Sequence, residues 1–280
     1  MLFFNFIKTN RKNMRKTIQI SCTAIAALAM LVLTGCSNSA ALKTAVEEAN
    51  NNLPTPLATI GQATSLSFDE KTIQCEVEPA VPLAGLQAAD LTILGKYVAV
   101  ELLRNLPDIM NMAVEDGISL NCTLKGEGAE PVAVEVSADE LKALQMNFSA
   151  SGGQVAPILL PLYNQEITKN APVQICEGLT IKSVKLKDGK ESFFIDVDDD
   201  KVKFDDFRNN IAKNQENVDE KVKLANMNLS VLFPLLQELN YETIFRYSAK
   251  GGKETYMEIS AEEIKDILTK GEAADAEKAD

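Results

Sequence analysis

The sequence contains no histidine. That removes the commonest general base near neutral pH, the Ser-His-Asp and Cys-His arrangements, and every His-ligated zinc pattern. No G-x-S-x-G elbow, phosphate-binding loop, G-x-G-x-x-G turn or S-x-x-K pair occurs either. Carboxylates are then the main groups able to do chemistry, and they concentrate in Asp196-Val197-Asp198-Asp199-Asp200. Asp196, Asp198 and Asp200 have the spacing that opens a calcium loop. Such a loop wants Gly at its sixth position and Glu at its twelfth, where this chain has Lys201 and Phe207. The three aspartates are therefore weak metal candidates, and no metal or cofactor is expected. The plainer reading puts Asp196 and Asp198 on the solvent face of a strand, with Asp205 or Asp206 capping the following helix.

Cysteine is the other reactive type. Cys75, Cys122 and Cys176 lie beyond the first 40 residues, at spacings that match no zinc or redox motif. Cys75 and Cys122 fall on alternating apolar stretches, so both should face a core. They form a candidate disulfide, the alternative being two small buried thiols. Cys176 sits in a loop, and no histidine exists to activate it.

The chain opens on an address. The first 35 residues hold five basic residues and no acidic one, followed from Ile18 to Leu33 by an almost wholly apolar run. That run is too short for a comfortable membrane span, which needs about 20 apolar residues, and it reads as a secretory signal. Leu33-Thr34-Gly35-Cys36 follows directly and resembles the lipobox of bacterial lipoproteins. The resemblance implies cleavage before Cys36, a diacylglycerol on its thiol, and acylation of the new amino terminus, with palmitate the typical chain. Two or more chains make a stable anchor. Met14, which begins the basic-then-apolar MRKTIQI, is the better start. Ser37 resembles the residue after the cysteine in Gram-negative lipoproteins sent to the outer membrane. Ser37–Ala40 lacks the acidic cluster of surface-exported Bacteroidetes-type lipoproteins, so an orientation toward the periplasm is expected.

Without its first 35 residues the chain carries 23 basic and 40 acidic residues, a net charge of −17. Such a protein repels nucleic acid and anionic headgroups. Tryptophan is absent and aromatics make up 6%, poor material for stacking on sugars.

The rest of the chain repeats itself. Asn52-Leu53-Pro54, Ser65–Phe68 and Cys75-Glu76-Val77 return 118 residues later as Asn170-Ala171-Pro172, Ser183–Leu186 and Phe193-Phe194-Ile195. Val134–Leu141 returns at a shift of 123 as Met257–Ile264. Repeats decide architecture, so they come first. Each copy reads as helix, hairpin, helix, hairpin, helix. Asp188-Gly189 signals a two-residue turn, and Ser137 with Glu140 and Ser260 with Glu263 spell capping boxes. The expected fold is α+β: two tandem two-layer modules, each an antiparallel sheet of about four strands with helices on one face. The element order resembles that of the tandem repeats of β-lactamase inhibitory proteins, which speaks to fold and not to function.

The expected organisation is a signal peptide at 1–35, a lipidated tether at 36–40, a first repeat at 41–147, a linker at 148–157, a second repeat at 158–269, and a disordered acidic tail at 270–280. The expected function is a non-enzymatic binding or scaffold role in the cell envelope, toward an unidentified envelope protein or small ligand. The competing class is an envelope hydrolase using Ser/Thr or paired carboxylates.

Overall fold

A computed structural model describes residues 38–57, 60–69, 71–126, 129–146, 148–224 and 232–276. The signal segment, Cys36 and the last four residues lie outside them. Two compact units divide the chain between Val155 and Ala156.

In the first unit, helix α1 (Asn38–Asn50) buries Leu42 and Val46. Strands β1 (Thr55–Leu57), β2 (Gly61–Asp69) and β3 (Thr72–Pro79) follow. In β3 the apolar residues Ile73, Cys75 and Val77 alternate inward, the period of a strand with one covered face. Helix α2 (Ala88–Arg104) turns Leu94, Val98 and Leu102 to the core, and Pro107 opens α3 (Pro107–Glu115) at a position where its missing N–H is harmless. Strands β4 (Ser119–Leu124) and β5 (Val132–Val136) and helix α4 (Ala138–Met146) complete the module. The helix-to-sheet fit is close: a Cβ on Gly95 of α2 would lie 2.5 Å from Cγ2 of Val134.

The second unit runs through the same order. Helix α5 (Phe148–Asn170) leads to β6 (Val173–Cys176), β7 (Leu179–Lys187) and β8 (Lys190–Val197). Among the described residues three short helices follow, α6 (Phe204–Lys213), α7 (Val218–Leu224) and α8 (Phe233–Glu238). They give way to β9 (Glu242–Ala249), β10 (Lys253–Ile259) and α9 (Ala261–Ala276).

Each module holds one five-stranded sheet with its strands in sequence order. The two sheets agree in register, not merely in outline. Cys75 stands opposite Cys122 where Phe193 stands opposite Phe245. A bulge interrupts β2 between Ala63 and Ser65 and β7 between Ile181 and Ser183, positions 118 residues apart. Leu53-Pro54 and Ala171-Pro172 are both cis. Asp188 and Gly189 have φ of 51° and 74°, the positive pair that a tight two-residue turn demands.

The α+β class and the two modules are as the sequence predicts, but three details differ. The sheets are mixed, because the two hairpins of each module meet along a parallel pair, β3 with β4 and β8 with β9, and a short fifth strand joins one edge. Residues 148–157, expected as a linker around Gly152-Gly153, are helical from Phe148 onward. The buried side chains of Val155, Ala156, Leu159 and Leu160 carry that helix, since tertiary packing outweighs poor helix formers. The final helix likewise continues to Ala276 instead of ending at Lys270, its last turn carrying three alanines and a glutamate of high helix propensity past Gly271. At the other end, α1 already begins at Asn38, inside the expected tether.

Candidate functional site

Cys75 and Cys122 both face the core, as expected, and the fold makes their strands neighbours, which the sequence left open. They are direct partners on β3 and β4, 1% and 0% exposed, and both are free thiols. A hydrogen bond with Cys122, then burial, push the Cys75 thiol well above the usual thiol range. In the second module the same two positions hold phenyl rings stacked at 5.3 Å between centroids and 11° between planes. The pair is thus a packing position filled by two small groups in one copy and two large ones in the other.

The acidic run does not converge. Asp196 pairs with Lys182 at 2.9 Å. Asp198 accepts the N–H of Asp200, and Asp199 accepts the N–H of Phe204 at 2.8 Å. Asp199, not Asp205 or Asp206, therefore satisfies the start of α6. Lys253 reaches Asp199 at 3.4 Å and Asp205 at 3.2 Å, placing an ammonium among the carboxylates. Among the described residues no three His, Cys, Asp or Glu side chains are grouped as metal ligands. Cys176, expected in a loop, is instead the exposed last residue of β6, and partial desolvation of its thiol raises its titration.

A polar group does recur in both copies: each capping box read from the sequence also takes a lysine, which the sequence did not reveal. Glu140 accepts from the backbone N–H and hydroxyl of Ser137 and from Lys96 on α2 at 2.5 Å. Glu263 accepts likewise from Ser260 and from Lys221 on α7 at 2.6 Å. The hydrogen bond from Lys96 above all holds Glu140 down at about 2. A carboxylate so stabilised is a poor base, and each serine oxygen is already engaged by the backbone N–H three residues on. The triad ties the closing helix to the middle of its module.

The second module differs from the first at three core positions. Ile73 on β3, Leu120 on β4 and Val46 on α1 are fully buried and apolar. By strand register and the 118-residue shift their counterparts are Glu191, Thr243 and Asn164. All three are buried, Glu191 and Thr243 completely. Both carboxylate oxygens of Glu191, both amide atoms of Asn164 and the Thr243 hydroxyl lack a hydrogen bond of normal geometry among the described residues. Burial raises Glu191 to about 8, and the nearby Asn164 amide only partly opposes it. The signal was present in the sequence: stepping two residues back from Phe193 along the inward face of β8 lands on Glu191.

No protein-family model, curated protein or solved structure matches this chain.

Proposed function

We propose that the chain is a cell-envelope lipoprotein, anchored by lipid on Cys36 to the outer membrane and facing the periplasm, whose two modules bind or space rather than catalyse. The observation that carries the anchor is Leu33-Thr34-Gly35-Cys36 directly behind a basic and then apolar leader. The non-enzymatic part is supported by what the two copies repeat: a bulge, a capping box and its lysine, each bonded into the scaffold. The partner class is an envelope protein or small ligand. A net charge of −17 after Cys36 sets it apart from nucleic acid.

Metabolic labelling with a palmitate analogue tests the anchor. The wild-type protein should be labelled and cut before Cys36, whereas Cys36→Ala should accumulate as unlabelled precursor. A mature terminus at any other residue defeats the reading. Turnover of an envelope substrate by purified protein, abolished by one side-chain change, would defeat the non-enzymatic part.

A further inference from the structure

We propose that Asn164, Glu191 and Thr243 form a proton-sensitive lock in the second module, in which the neutral acid of Glu191 stands where α5 meets the parallel β8–β9 pair and its ionisation loosens that junction. The first module shows what the scaffold needs at these places: Val46, Ile73 and Leu120, apolar and fully buried. Three polar side chains at the matching places of the second module are therefore not demanded by the fold. Burying unpartnered polar groups is unfavourable, and burying a lone carboxylate is far more so unless it takes up a proton.

Among the described residues, none places a counter-charge on Glu191. Its partners across the strands are Leu186 on β7 and Thr243 on β9, and Asn164 approaches from α5. Tyr163, beside Asn164, is fully buried, and burial pushes its phenol upward, so it supplies no charge. The nearest ions in sequence, Lys190 and Glu242, lie one residue back on β8 and β9 and so face the opposite side of the sheet. There they pair with each other, and Lys190 also with Glu258. Burial thus outweighs the Asn164 amide at Glu191 and lifts it to about 8 from its ordinary 4.5. Because the folded value is the higher one, the folded state keeps a proton that the unfolded state has lost. Stability of this module is complete below the ordinary value and falls as pH rises through the folded one.

Amide hydrogen exchange of the lipid-anchored chain, held in detergent micelles, tests this with an internal control. Protection of Lys190–Val197 and Glu242–Ala249 is compared, at each pH, with protection of Thr72–Pro79 and Ser119–Leu124. In the wild type the ratio should fall between about pH 5 and about pH 8, by up to roughly tenfold per unit where the two states differ by one proton. Glu191→Gln, a neutral mimic of the acid, should flatten the ratio, and Glu191→Ile should flatten it at higher protection. A flat ratio in the wild type, or an unchanged slope in Glu191→Gln, overturns the proposal. Should the variants fail to fold, carbon-13 NMR of the wild type decides it. One glutamate carboxyl still protonated near pH 7 supports the lock, and full ionisation of every glutamate by about pH 6 refutes it.

Discussion

At the scale of single residues, the thiols separate by position. Neighbouring strands run about 4.7–4.9 Å apart, and in a parallel pair partnered side chains project alike, so their Cβ atoms keep roughly that spacing. A disulfide needs about 3.5–4.5 Å. Closing one between Cys75 and Cys122 would draw the two hairpins together at the centre of the sheet. The pair is expected to stay reduced even in an oxidising compartment, where accessible cysteines are usually joined. Thiol counting on non-reduced protein labelled in vivo should give one reactive group in the native state, the exposed Cys176, and three after denaturation. One thiol after denaturation would establish the bridge.

Elements are held by devices whose strength follows burial. Lys96 and Glu140 are 33% and 44% exposed, so solvent screens them, and Glu140→Gln should destabilise the first module by about 1 kcal/mol, mostly through the cap. Lys221 is only 7% exposed. Burial works to raise Glu263, but hydrogen bonds from Lys221 and Ser260 bring it below its ordinary value. Glu263→Gln would strand a buried ammonium, a loss of about 3–5 kcal/mol. Urea unfolding of the two variants should show this inequality, and equal effects would contradict the burial argument. Both glutamates sit below their ordinary value when folded, so their contribution is present above it and fades as pH falls toward about 2 for Glu140. Gly95→Ala pushes a methyl against Val134 and should cost about 1–3 kcal/mol.

On the scale of the whole molecule, the chain is one scaffold made twice and filled differently. Each module has its own sheet and its own buried core. Calorimetry is therefore expected to resolve two transitions, with Gly95→Ala lowering one and leaving the other in place. A single transition that moves as a unit would mean the modules unfold together. Raising the pH toward about 8 should lower the transition that Gly95→Ala leaves untouched, because Glu191 lies in the other module.

The sequence by itself determined the duplication, the strand faces and the capping boxes, because these are written in local periodicities and in short fixed offsets. Leu66 and Phe68 facing Ile73 and Cys75, or Ser260 facing Glu263, need only a period of two or a step of three. It also held the register that aligns Phe193 with Cys75. Only the tertiary structure decided which hairpins join, and that they join in parallel, since this depends on strands 47 residues apart, Cys75 and Cys122 among them. It likewise decided that Gly152-Gly153 lies in a helix, through burial of neighbours that local propensity does not weigh. Lys96 and Lys221 read as surface charges along the sequence, yet distant folding sets each upon the carboxylate of a capping box. The polar triad lay between these limits. Alternation turned Glu191 inward, but only the packed module showed that Asn164 and Thr243 meet it there with no counter-charge among the described residues, because a carboxylate's partners are chosen by space rather than by sequence.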